Sequence, residues 1–151
     1  MTQRYDEETW AQVVRRAPLV SFDLLVTRQE RVLVGWRTNR PAQASWFVPG
    51  GVIRKGESLA QAFSRVTADE LGKPFALADS TLHGVYEHFY DDNFRNEPGY
   101  GTHYVVLARI LPIVEPLSLP DDQHSRYQWL TQDELLAHPD VHPNVKEYYR
   151  A

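Results

Sequence analysis

Apolar positions near the start of the chain recur with a helical period. Trp10, Val13, Val14 and Ala17 fall at i, i+3, i+4 and i+7, which predicts a helix over Glu7–Arg16, and Pro18 stops it. Residues 19–27 and Arg31–Arg37 are dense in apolar and β-branched residues and read as strands. The polar tip Arg28-Gln29-Glu30 between them marks a hairpin. Trp46-Phe47-Val48 is a short apolar run closed by Pro49-Gly50-Gly51. A capping-box pattern at Ser58 and Gln61 then opens the best-defined element. Leu59, Ala62, Phe63 and Val66 make one apolar face, and Gly72 and Pro74 supply a stop, so residues 58–71 are expected to be helical. Two longer strand candidates, Thr81–Tyr90 and residues 101–111, flank a polar loop over residues 91–100 that contains Pro98 and Gly99. Residues 125–130 read as a last strand. Thr131 and Glu134 cap a short helix ended by Pro139, and residues 144–150 form a final helical stretch. The pattern predicts an α+β domain whose strands lie mostly in hairpins rather than in alternating parallel units.

A length of 151 residues with 42% hydrophobic and 24% charged positions suits one globular domain over residues 1–151. The net charge of −4 disfavours a nucleic-acid partner bound through a basic surface. No apolar run reaches the length of a membrane span, the opening MTQRYDEETW lacks the apolar core of a signal peptide, and cysteine is absent. A cytoplasmic protein with no membrane partner is expected, and thiolate chemistry is excluded.

Candidate chemistry concentrates in GGVIRKGESLAQAFSRVTADELGK, residues 50–73. Paired glycines let the backbone approach a ligand or metal closely. Glu57 in the loop can pair with Arg65 on the helix and fix one against the other. Glu70 follows Val66 by four residues and so extends the apolar stripe, where a carboxylate is costly without compensation. A divalent cation would compensate it, and oxygen donors favour magnesium or manganese. Asp69 and Glu70 taken alone read as a solvated helix end; paired glycines, spacing and capped helix together favour the metal site.

This segment resembles the box of the Nudix hydrolases, Gly-x5-Glu-x7-Arg-Glu-U-x-Glu-Glu-x-Gly with U apolar, over about residues 51–73. Gly51, Glu57, Arg65, Glu70 and Gly72 match, and Asp69 stands for one glutamate. Val66 replaces another glutamate, and Thr67 replaces the aliphatic position. The resemblance implies the Nudix fold, a mixed β-sheet sandwiched between helices. The strings PLVSFDLLV, GWRTNRPAQASWFVPGG, HFYDDNF, THYVVL and LPDDQH are similar to the GDP-mannose mannosyl hydrolase branch, from about Thr9 to Tyr149. That branch carries the altered box, so Val66 is expected within it.

The branch resemblance implies attack of water at the anomeric carbon of GDP-mannose, with GDP-glucose as a second candidate, releasing GDP with inversion. It implies one magnesium per active site, with manganese as the alternative, held by Gly50, Glu70 and Gln123. His124 would be the general base, Asp23 and Arg37 would act at the reacting centre, and Tyr104 and Trp10 would bind substrate, Trp10 by stacking on the base. A homodimer is also implied. The chemistry is consistent: glycosyl transfer to water passes through an oxocarbenium-like state, and an arginine fork suits a departing diphosphate. The branch has an arginine after the Gly-Gly turn where this chain has Val52; Arg54, two residues on, is the candidate to compensate.

Bland readings stand beside these. Asp23 could be a paired core residue, Trp10 and Tyr104 could be core packing, and His124 alone would be a loop histidine. His83, His88 and His103 on strand candidates read as packing or surface residues. His138 and His142 have a zinc-like spacing that Pro139 interrupts. Two rivals remain: a Nudix pyrophosphatase that attacks phosphorus in a nucleoside diphosphate derivative, and a domain that binds a nucleotide sugar without turnover.

Overall fold

The computed structural model describes residues 5–120 and 124–150, with the backbone alone at positions 124 and 125. Helix α1 spans Glu7–Arg16, capped by the Asp6 side chain, which accepts a hydrogen bond from the Thr9 amide at 2.7 Å. Strands β1 (Leu19–Arg28) and β2 (Arg31–Arg37) form the expected hairpin. Its two tip residues, Gln29 and Glu30, both have positive φ (53° and 62°), as a tight two-residue turn demands. Strand β3 (Trp46–Phe47) lies on β2. Helix α2 (Leu59–Leu71) has the capping box of Ser58 and Gln61 and ends at Gly72, whose φ of 84° favours glycine. Strands β5 (Thr81–Tyr90) and β6 (Thr102–Pro112) pair antiparallel around the polar loop. Strand β7 (His124–Leu130) pairs with β2, helix α3 (Gln132–Ala137) carries the Thr131–Glu134 box, and α4 (Pro143–Lys146) runs into a 3-10 turn over Glu147–Tyr149.

One expectation needs correction. The Gly-rich turn is not only a turn: Gly50–Val52 is strand β4, paired antiparallel with Ser21–Asp23 of β1. A Cβ on Gly50 would stand 2.4 Å from the Phe22 carbonyl oxygen and 2.7 Å from Asp23 Oδ1, so glycine is required by the approach to β1 itself. The strands pair mostly antiparallel, in keeping with the hairpins and the mixed sheet expected, and the parallel pairing is one that periodicity does not locate. β1 runs parallel to β6 along its whole length, from Leu19↔Tyr104 to Thr27↔Pro112. This pairing joins elements some eighty residues apart, which hydrophobic periodicity cannot report.

The result is an α+β fold with a mixed seven-stranded sheet, β3-β2-β1-β6-β5, with β4 on β1 and β7 on β2. Alternate β1 side chains feed two cores on opposite faces. Phe22, Leu24 and Val26 pack with Ala62, Phe63, Val66 and Leu71 of α2. Leu25, together with Val32 and Val34 of β2, packs with Leu135, Val145 and Tyr148 of the C-terminal helices. Thr67, at the box position usually aliphatic, is fully buried and satisfied: its hydroxyl donates to the Phe63 carbonyl and accepts from the Phe75 amide, both at 2.8 Å. It thereby ties the chain beyond α2 back onto the helix. β1 changes partner midway, from β4 at Ser21–Asp23 to β2 at Thr27–Arg28, and the functional cavity opens at this fork.

Candidate active site

A cavity of about 1150 Å³ runs from the fork in the sheet to the inner side of α1. Asp23, Arg37, Gly50, Glu70, Arg54, Trp10 and Tyr104 all line it, from α1, four strands, the loop after β4 and α2. The sequence pattern thus named residues that the fold does bring together. Gln123 lies outside the described residues. His124 is described by its backbone alone, which stands opposite Arg37 in the β2–β7 register.

Glu70 sits near the C-terminal end of α2 and is only 7% exposed. Its Oε1 accepts the Gly50 amide at 3.2 Å. A carboxylate at that end faces the negative pole of the helix dipole, so burial there calls for a positive charge. Glu57 is committed elsewhere: Arg65 donates to both its oxygens, at 2.7 and 2.9 Å, and the Arg54 amide donates to Oε1 at 2.7 Å. Arg65 also donates to the Val52 carbonyl at 2.7 Å, locking the loop onto the helix as the spacing predicted. Those contacts hold the Glu57 carboxyl below the usual carboxylate range, the hydrogen bonds from Arg65 contributing most. Val66, in place of a box glutamate, is 1% exposed and its methyls would meet a Cβ on Gly51 at 3.0 Å, so it is core. Asp69 is exposed and pairs with Arg65 at 3.7 Å. Among the described residues no three metal-ligating side chains gather. Glu70, backbone oxygens of the Gly-Gly strand and the nearby Asp69 are hard oxygen donors, which suit a divalent cation such as magnesium.

Asp23 is 7% exposed and points to the face opposite α2. Burial pushes its carboxyl up to about 7, against the hydrogen bond from Tyr148 and the nearby Arg37, which pull it down; Glu70 pushes it further up. The Tyr148 hydroxyl donates to Asp23 Oδ2 in a short hydrogen bond and lies 3.4 Å from His88 Nε2. His88 is 4% exposed, and desolvation, with His142 nearby, lowers its ring to about 4, so it is neutral near pH 7. Burial raises Tyr104 to about 12, keeping it a neutral hydrogen-bonding phenol. Arg37 donates to the carbonyls of Asn39 and Pro41, at 3.4 and 3.2 Å, while its Nε is buried with no hydrogen-bond partner among the described residues. A buried donor of this kind on a cavity wall suits an anionic ligand.

Trp10 is half-buried on the cavity wall, while Ala11 and Val14 are the buried core positions of α1. Three residues were missed as site candidates. His88 and Tyr90 line the cavity together; their spacing of two on one strand was the available signal. Tyr148 showed only as an apolar position three after Val145. His142 caps α4, its Nδ1 accepting the Asn144 amide at 3.0 Å, and packs on Phe47.

The chain belongs to the Nudix family: the family model of the NUDIX domain matches residues 17–151. It is therefore a Nudix hydrolase, a class acting on nucleoside diphosphate derivatives with a divalent metal such as Mg2+. The chain is 35% identical over 151 residues to the low-salt glycan biosynthesis protein Agl8 of Haloferax volcanii, covering 99% of this chain and 92% of that protein. In fold it resembles the MutT NUDIX hydrolase from Burkholderia pseudomallei, with TM-score 0.70, 24% identity, and 89% and 97% of the two chains covered. It also resembles the NUDIX domain of Shewanella oneidensis NrtR complexed with ADP ribose, with TM-score 0.64, 18% identity, and 96% and 90% covered. No helix among the described residues is long and apolar enough to cross a membrane.

Proposed function

We propose that this protein hydrolyses a nucleotide sugar, GDP-mannose or GDP-glucose, to GDP and the free sugar by attack of water at the anomeric carbon with inversion. The observation that carries the reading is the buried Asp23, which shares one cavity with Glu70, Gly50 and Arg37, whose Nε has no hydrogen-bond partner among the described residues, while Val66 removes a box carboxylate. Chemistry at phosphorus with several metals wants more carboxylates at the α2 end; chemistry at carbon wants a carboxylate near a developing oxocarbenium ion. The name of the Haloferax relative, a glycan biosynthesis protein, is in keeping with a sugar-bearing substrate.

In this reading the bond from C1 to the diphosphate oxygen breaks and GDP leaves with its electron pair. A water oxygen bonds to C1 from the opposite face and gives its proton to His124. Asp23, anchored by Tyr148, faces the sugar, and Arg37 and Arg54 bind the diphosphate as its charge grows. Glu70, Gly50 and Gln123 would hold one divalent cation, which supplies neutralisation of the leaving diphosphate. Trp10 stacks on the base and Tyr104 orients the substrate. The homodimer expected of the branch and a cytoplasmic location belong to the same proposal.

Hydrolysis in oxygen-18 water tests the site of attack. Label recovered in the sugar supports attack at carbon. Label in phosphate supports the alternative, a pyrophosphatase acting on a nucleoside diphosphate derivative, and sinks the proposal. Arg54, the candidate to stand in for the missing arginine, is half-buried on the cavity wall, and its amide donates to Glu57. Arg54→Ala is expected to lower kcat/KM about tenfold, the scale of one charge-assisted hydrogen bond. Unchanged kcat and KM would show that Arg54 does not compensate for Val52.

A further inference from the structure

The loop over residues 91–100 is a built platform. Asn93 is fully buried, and its side chain satisfies four backbone groups. Its amide donates to the carbonyls of Glu97 and Tyr100 at 3.0 and 2.9 Å, and its Oδ1 accepts the amides of Arg95 and Glu97, both at 3.1 Å. The Thr102 hydroxyl donates to the Asp92 carbonyl at 2.8 Å, and Asp92 pairs with Arg40 at 2.9 Å. A loop pinned at its centre and both flanks presents neighbouring side chains in fixed directions. Phe94 lines the functional cavity, and its neighbour Arg95 reaches α1.

The contacts with α1 span its length. Arg95 pairs with Glu8 at 2.9 Å and Glu7 at 3.6 Å in the first turn, and also with Glu97 of its own loop. At the other end Arg15 pairs with Glu97 at 3.9 Å and lies over the Tyr100 ring, 4.7 Å from its centre. The Tyr100 hydroxyl donates to Glu97 at 2.8 Å, closing the network. Isolated surface ion pairs contribute little, but here two arginines and three carboxylates fasten one short helix to one rigid loop. Trp10 and Val13 of α1 line the same cavity as Phe94.

We infer that Arg95 is a positioning residue: by latching α1 to the loop it fixes Trp10 and Phe94 as the two aromatic walls of a subsite for the nucleoside base, and so sets affinity for the nucleoside half of the substrate. This deepens the nucleotide-sugar reading and rests on it. Stacking on fixed rings costs less ordering than stacking on a helix that must first dock. The latch touches neither the diphosphate groups nor the sugar end, so its effect is confined to ligands that carry a base.

The test is calorimetric titration of the full chain, with magnesium, by GDP and separately by inorganic pyrophosphate. Arg95→Gln is expected to weaken GDP binding about fivefold, roughly 1 kcal/mol at 1.4 kcal/mol per decade, and to leave pyrophosphate binding unchanged. Arg95→Lys, which keeps the charge, is expected to recover most of the GDP affinity. In a Trp10→Ala background the Arg95→Gln effect is expected to vanish. Equal GDP affinity in wild type and Arg95→Gln, or equal loss for GDP and pyrophosphate, overturns the latch alone. A wild-type protein that binds pyrophosphate but not GDP overturns the nucleotide reading and the latch with it.

Discussion

Asp23→Asn is expected to make the protein more stable above neutral pH while removing most of its activity. The carboxyl is buried on β1, and burial lifts it from an ordinary value of 3.8 to about 7 despite the Tyr148 hydrogen bond and Arg37. A carboxyl raised on folding lowers stability wherever the unfolded chain is already ionised. Below about pH 4 both states are protonated and Asp23 has no pH-linked cost. The cost grows between about 4 and 7 and is constant above, on the order of 2–4 kcal/mol. Asparagine keeps the shape and can still accept from Tyr148, yet carries no charge. Thermal unfolding of the metal-free proteins is therefore expected to show the variant ahead at pH 8 and level with wild type at pH 4. In the proposed reaction, turnover of GDP-mannose is expected to fall about a hundredfold, since the charge that Asp23 would present to a developing cation is lost. This is the usual signature of an active-site charge held against folding stability. If the stability difference were the same at both pH values, Asp23 would be a paired core residue as its bland reading has it.

Glu70→Gln is expected to reduce metal-dependent turnover by at least about a hundredfold and to abolish stabilisation by magnesium. Glutamine can still accept the Gly50 amide that Glu70 accepts at 3.2 Å, so the metal-free fold should survive. For wild type at a magnesium concentration ten times its Kd, unfolding free energy should rise by about 1.4 kcal/mol. The variant should show no rise. The measurement is a pair of melting curves with and without magnesium, for each protein. An equal magnesium-dependent shift in both would move the cation away from the α2 end and remove Glu70 from the site.

Local signals were legible wherever one short stretch contained both the cause and its effect. Ser58 with Gln61, and Thr131 with Glu134, form the boxes their spacing predicts. Glu57 and Arg65, eight apart, meet because a capped helix leaves little freedom in the loop before it. Glu70 was readable because a carboxylate in phase with an apolar stripe is physically anomalous. The partners of Asp23 were not readable. Tyr148, which donates to Asp23, comes from a turn near the C-terminus, and His88, which lies beside the Tyr148 hydroxyl, comes from β5; in sequence each has an adequate explanation as packing. The Arg95 latch was hidden for the same reason, since its carboxylates on α1 look like ordinary dipole-complementing residues of a first turn.

The amino-acid order alone determined the elements, their caps, the resemblance of the Gly-rich segment and the acidic end of α2. These depend on residues within a turn or two of one another, where propensity and hydrogen-bond reach decide. Tertiary structure alone decided that β1 runs parallel to β6, that β1 forks between β4 and β2, that Asp23, Arg37 and Glu70 line one cavity, and that Tyr148 donates to Asp23. Such contacts bring together segments far apart along the chain, and what selects them is the joint burial of both sheet faces, a property of the assembled molecule that no single stretch of sequence contains.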